Sequence, residues 1–210
     1  MPEVQSHGFD FENWIKKTFF AEFSVSYGSK WDVPAQLNNR EIVPEAFRYL
    51  PVSIKTCKNG CPIGFGDALR QYKNNEDFLL IVGFWEQAGA YKNFVAVEAV
   101  KVAAEDWRKL FEALTENDLQ LLDATIKNRE MHYSEVRETA QRIKKSFPPT
   151  RVVLNPKIDS KIQRRLQCGL PFGVFWNNFA GKEPYRDLQC TLFGEYVPNP
   201  FASGARVFKR

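Results

Sequence analysis

A chain of 210 residues with 44% hydrophobic and 14% aromatic residues can bury a substantial core, which excludes global disorder and fits one domain with at most a modest extension. A formal charge of +4 is too small to mark a partner by itself, so the distribution of charge matters more than the total. No apolar run is long enough to span a bilayer, and the polar start Met1-Pro2-Glu3-Val4-Gln5 has no secretory leader, so a cytoplasmic protein with reduced cysteines and no membrane partner is the expectation.

Along the chain, Phe11, Trp14, Ile15, Thr18 and Phe19 recur at helical spacing, which predicts a first helix with Asp10 as its N-cap. Residues 22–27 alternate polar and apolar side chains and predict a strand. Gly28-Ser29 turns, and residues 30–33 return as a second strand that stops at Pro34. Pro51-Val52-Ser53-Ile54-Lys55-Thr56 is the third strand, and Lys58-Asn59-Gly60-Cys61-Pro62 is turn chemistry. Residues 65–72 read as a helix with Asp67 in its first turn. The continuous apolar run of residues 78–85 reads as a strand buried on both faces, with residues 94–100 as its neighbour. Helices over residues 106–114 and 118–145 follow, the second ended by Phe147-Pro148-Pro149, and the last sixty residues mix short strands and loops. The order implies an α/β (mixed α+β) fold with a central mixed sheet flanked by helices. Residues 1–105 would form the core, and residues 106–210 an extension for recognition and dimerisation.

Charge is concentrated in the C-terminal third. From Arg137 to Cys168 nine residues are basic and two acidic, and the chain closes on Arg206, Lys209 and Arg210. A phosphate backbone would attract such a stretch, although a solvated charged face has the same composition. Within it, residues 155–167 combine Lys157 and Lys161, which suit phosphates, with Gln163, Arg164, Arg165 and Gln167, which can reach base edges. Ile158, Ile162 and Leu166 also fit the inner face of an amphipathic surface helix, and the two readings are compatible. Phe172, Phe175, Trp176 and Phe179 read as core or subunit interface. Cys57-x3-Cys61 lacks a second short-spaced pair, since Cys168 and Cys190 stand 22 residues apart, so buried or incidental thiols fit better than structural zinc. Neither His7 nor His132 has a serine or cysteine at a spacing that suggests a triad, and the glycines near Gly64 lack a phosphate-loop lysine.

The constellation with chemical content is Asp32, then Ser53-Ile54-Lys55 on a strand, then Asp67. Acidic oxygens that hold a hard divalent cation beside a fixed ammonium are what phosphodiester hydrolysis requires. Over residues 8–85 this order resembles the PD-(D/E)XK nuclease superfamily, which includes many type II restriction endonucleases. The resemblance matches Glu12 to the acid of the first helix, Asp32 to the strand acid and Lys55 to the triplet lysine. Ser53 stands where the triplet's acid is expected. A subset of these enzymes that cut CCGG-type sites has serine there and an acid on the next helix, and Lys55-x11-Asp67 is similar, with aspartate in place of the usual glutamate. The resemblance therefore implies a restriction-endonuclease-like core with a basic C-terminal recognition region. It implies Mg²⁺ as cofactor with Asp32 and Asp67 as ligands, Lys55 at the scissile phosphate, and Ser53 and Glu12 in support. The partners it implies are double-stranded DNA and a second copy in a homodimer. Two rivals keep the DNA: a repair nuclease or junction resolvase of the same fold, and a non-catalytic DNA-binding protein whose triplet has decayed.

Overall fold

The computed structural model describes residues 3–20, 29–159 and 163–199. In chain order the elements are α1 (Glu3–Phe19), β1 (Val52–Lys58), β2 (Ile63–Asp67), α2 (Ala68–Tyr72), β3 (Phe78–Ala88), β4 (Tyr91–Val102), α3 (Ala104–Lys109), α4 (Glu116–Lys127), α5 (Tyr133–Ser146), β5 (Val153–Ile158), β6 (Arg164–Leu170), a π-helical turn (Phe175–Ala180), β7 (Thr191–Leu192) and β8 (Glu195–Tyr196). They gather into two compact units that interleave along the chain. The first takes the described residues up to Cys61, then 77–103 and 175–199, and the second takes 62–76 and the described part of 104–174. The division thus falls close to residue 105 at only one of its crossings, because the segment between β1 and β3 and the C-terminal stretch each group with the other half.

The first unit is built on a mixed sheet of order β1-β3-β4, parallel between β1 and β3 and antiparallel between β3 and β4. Phe78 to Val82 are all fully buried, as a continuous apolar run demands of a central strand. α1 covers one face. Phe11, Ile15 and Phe19 repeat every four residues on one stripe of the helix and pack with Val52, Ile54, Leu79, Ile81 and Phe94. Gly83 admits this packing, since an added Cβ would collide with Phe94 Cε1 and lie 3.0 Å from Phe11 Cζ. On the opposite face Phe84 stacks at 5.4 Å on both Phe175 and Trp176, so two of the C-terminal aromatics belong to the core.

The second unit holds an antiparallel sheet of order β2-β6-β5, with α4 and α5 against it. A Thr115–Asp118 capping box starts α4, and Leu119, Leu122 and Ile126 bury its inner face. Arg137 on α5 donates to Ile158 O from two guanidinium nitrogens, which ties that helix to β5.

Several sequence expectations are corrected. α1 runs back to Glu3, so Asp10 lies inside it and caps nothing; the apolar pattern marks only the part of the helix from Phe11 to Phe19. The strand expected over 30–33 reduces to a single antiparallel bridge between Val33 and Val52, because Pro34 has no N–H with which to continue a ladder. The strand expected over 22–27 lies outside the described residues. The helix over 65–72 begins only at Ala68, since Gly66 has φ +79° and the chain before it is strand. Residues 106–114 hold a short helix that stops at Lys109 and then turns, with Glu112 at φ +49°. The long helix over 118–145 is two helices, broken where the Asn128 side chain accepts the Glu130 N–H and so gives the backbone a turn instead. The described residues of 155–167 are not helical: 155–158 and 164–167 pair as β5 and β6.

Candidate active site

The site is assembled at the free edge of the first unit's sheet. Among the described residues β1 pairs along its length with β3 alone. On the other side Val52 N–H donates to Val33 O at 2.8 Å, and the N–H groups of Asp32 and Val33 both reach Val52 O. That bridge anchors Asp32 beside β1. The next outward N–H of the strand, that of Ile54, donates not to a backbone carbonyl but to Asp32 Oδ2 at 2.6 Å. A carboxylate thus continues the pairing where the backbone stops, and the same contact fixes its orientation.

Side chains alternate along β1, with Val52 and Ile54 facing the α1 core and Ser53, Lys55 and Cys57 facing away. From that side Lys55 Nζ donates to the same Oδ2 at 2.8 Å. Ser53 Oγ lies 3.5 Å from it, too far for a normal O–H···O bond. Both members of the Asp32–Lys55 pair keep 24% of their side-chain exposure, so the pair is half-buried with a path to solvent. Among the described residues these donors converge on Oδ2 and none reaches Oδ1. The ammonium holds three protons, of which Asp32 takes one.

Behind the pair, Asn38 fixes the approach to β1. Its side-chain amide is fully buried and donates to Phe47 O at 2.6 Å and Leu50 O at 2.9 Å, while the Asn38 backbone carbonyl accepts from Tyr49 N–H. Tyr49 stands at φ +62° as a result, with its ring exposed. Sequence reasoning missed Asn38, because in a polar loop an asparagine gives no sign of burial. Cys57, two residues past Lys55 on the same face, has its thiol pushed up to about 12 by burial and then by Cys61, so at neutral pH it is an uncharged core group.

The other expected residues lie elsewhere. Glu12 pairs with Lys16 one turn along α1, on the helix that covers the Val52–Ile54 face of the sheet. Asp67 belongs to the second unit, where it is the N-cap of α2 and accepts the Arg70 N–H at 2.8 Å. Lys157, Gln163, Arg165 and Gln167 are on or beside the hairpin of that unit. Arg164 is turned inward, donating to Asn128 O at 3.1 Å. Lys161, Arg206, Lys209 and Arg210 lie outside the described residues.

No family model, curated protein or solved structure is similar to the chain. Among the described residues no group of three or more His, Cys, Asp or Glu side chains is placed to hold a metal ion, and no helix is long and apolar enough to cross a membrane. A magnesium ion needs less than three, since one or two carboxylates with waters and substrate phosphate commonly hold it. Asp32 fits that role, having one carboxylate oxygen engaged and the other without a donor among the described residues.

Proposed function

We propose that the protein is a magnesium-dependent endonuclease of double-stranded DNA, of the type II restriction kind. The observation that carries the reading is the convergence of Lys55 Nζ at 2.8 Å and Ile54 N–H at 2.6 Å on Asp32 Oδ2 at a half-exposed sheet edge. An acid and an ammonium held this rigidly, 23 residues apart in sequence, form a preorganised site for a phosphodiester and a hard cation.

Asp32 would hold the ion through Oδ1, and bound Mg²⁺ would supply charge neutralisation at the phosphate and a more acidic water. Lys55, kept in place by Asp32, has protons left to donate to a phosphate oxygen or to orient the attacking water. Ser53 lies on the same face of β1 and would offer a hydroxyl to the same hydration shell. Asp67 as second metal ligand and Glu12 as accessory acid are carried into the same test as separate variants. Cutting both strands of a symmetric site is most simply done by two copies related by a two-fold axis, which light scattering with and without DNA would detect.

The test is digestion of plasmid and phage DNA with Mg²⁺ and with EDTA, using the wild type, Asp32→Asn, Lys55→Ala, Asp67→Ala and Glu12→Gln. Discrete fragments from the wild type in Mg²⁺, and none from Asp32→Asn or Lys55→Ala, are expected. Cutting only of branched or damaged duplexes would move the assignment to a repair nuclease or resolvase. If the wild type retards DNA in a gel and never cuts it, the protein is a DNA binder without catalysis and the enzymatic proposal is lost. Fragments from Asp67→Ala at the wild-type rate would remove Asp67 from the metal site.

A further inference from the structure

Two neighbouring arginines on β6 have opposite fates. Arg164 shares a face with Ile158 and Leu166, and its guanidinium donates to Asn128 O at 3.1 Å and Met131 O at 3.4 Å in the α4–α5 connection. Arg165 points to the other face, where it is exposed and pairs across the ladder with exposed Lys157. Asn155 and Gln167 form the next pair on that face. Among the described residues, no hydrogen bond or ion pair engages the side chains of these four. The helices bury the opposite face, so a polar and basic surface is left outward.

Width and charge of this surface are specific. β2 ends at Asp67, opposite Gln167, so among the described residues the sheet is three strands wide at Gln167, at the base of the ribbon, and two strands wide from Pro156 and Leu166 outward, where Lys157 and Arg165 lie. Acids stand near its ends and are engaged by backbone. Asp67 accepts the Arg70 N–H at 2.8 Å, and Asp159 in the hairpin turn accepts the Gln163 N–H at 2.8 Å. Arg70, Arg165, Gln167 and Asp67 together line an open hollow of about 480 Å³ at the β2 end.

We propose that this face of the β5–β6 hairpin is a ribbon that reads duplex DNA from the major groove, with Arg165 and Gln167 contacting base edges and Lys157 a phosphate. The proposal rests on the reading of the protein as one that acts on DNA. It goes beyond that reading by assigning sequence choice to the second unit and by excluding Arg164 from the task. A major groove about 12 Å wide admits a two-stranded ribbon, whose strands lie about 4.8 Å apart. Side chains on one face of a strand recur every ~6.8 Å, which is two base steps of about 3.4 Å, so Arg165 and Gln167 address positions two steps apart. Arginine matches the two acceptors of guanine, glutamine the acceptor and donor of adenine, and lysine a phosphate as a point charge. Duplex RNA is a poor occupant because its major groove is deep and narrow.

The test is selection from a duplex DNA library with a randomised core, in EDTA so that no product is cut. The proteins are the full-length wild type, Arg165→Ala, Gln167→Ala and Lys157→Ala. All three sites are outward-facing, and matching circular dichroism spectra verify that the variants fold. The wild type should enrich one motif. Arg165→Ala should relax one G·C position and Gln167→Ala one A·T position two steps away, each weakening the parent motif by about 10- to 100-fold. Lys157→Ala should weaken all duplexes alike and lower the slope of log K against log salt by about 1. The proposal is overturned if both reading variants enrich the wild-type motif with unchanged affinity, if the wild type enriches no motif, or if duplex RNA competes as well as duplex DNA. Digestion in Mg²⁺ is scored separately. A protein that selects through Arg165 and Gln167 yet never cuts keeps the ribbon and loses the catalytic reading, whereas one that cuts with an unaltered motif in the variants does the reverse.

Discussion

Replacing Asp32 by alanine, alone and together with Lys55→Ala, measures how far the sheet edge depends on this one carboxylate. An exposed ion pair contributes about 0–1 kcal/mol, and removing one partner of a fully buried pair costs about 3–5 kcal/mol. At 24% exposure for both side chains the pair lies between these limits. Asp32→Ala also leaves the Ile54 N–H without its acceptor, which adds about 1–2 kcal/mol, so a total of about 3 kcal/mol is expected. Lys55→Ala keeps the Ile54 bond and should cost about 1–2 kcal/mol. The double variant no longer strands an ammonium, so it should fall short of the sum by about 1–2 kcal/mol, well outside the 0.3–0.5 kcal/mol scatter of roughly independent sites. Urea unfolding followed by tryptophan fluorescence is suited to this cycle, because Trp14, Trp31, Trp85 and Trp176 lie in the first unit and only Trp107 in the second. Strict additivity would refute the claim that the two groups act as a unit.

Gly83→Ala should destabilise the first unit by about 1–3 kcal/mol through overpacking against Phe94 and Phe11, and a urea midpoint at or above the wild-type value would contradict the packing described. Asn38→Ala should cost about 2 kcal/mol, since it leaves two part-buried carbonyls without their donor, and a proteolysis rate around residue 49 equal to wild type would count against it. Burial pushes Cys57 and Cys168 up to about 12 and Cys190 up to about 11, against 9.0 for an ordinary thiol. These groups stay protonated in the folded chain while the unfolded chain ionises, so the stability they contribute is complete below pH 9.0 and is lost as pH rises toward 11–12. A urea midpoint that climbs between pH 8 and pH 11, or a Cys57→Ala variant that falls more steeply than wild type, would speak against this. In the native state one thiol per chain, Cys61, should react rapidly with a thiol reagent at pH 8, and all four after unfolding.

What the sequence makes legible is what a single period or a single run determines. The apolar run over 78–85 can only be a strand buried on both faces, and the Phe11–Ile15–Phe19 stripe can only be a helix on a core. The stretch that holds β5 and β6 is ambiguous in sequence. Ile158, Ile162 and Leu166 fit a helix, while Leu154, Ile158, Leu166, Cys168 and Leu170 fit alternating strands. Pro156 suits either the first turn of a helix or an edge strand, and β5 is an edge strand. Asp67 is the N-cap of α2 and not a residue of its first turn, because a positive φ at Gly66 leaves no trace in hydrophobic period. The Asp32–Lys55 contact is not legible in composition, period or local spacing. Nothing local in the chain says that a carboxylate 22 residues before Ile54 will take its N–H.

That contact has a further consequence for the edge of β1. An open strand edge is a template on which another chain can add itself, and proteins guard such edges with charge, short strands or interruptions. Here the bridge at Val33 covers Val52, and the Asp32 carboxylate occupies the next outward donor with Lys55 beside it. A stranger's backbone would have to displace a charged acceptor to pair with Ile54. Neutralising Asp32 therefore does more than remove an acid: it uncovers an apolar β strand, and the Asp32→Ala protein should form β-rich aggregates at concentrations where the wild type stays dispersed.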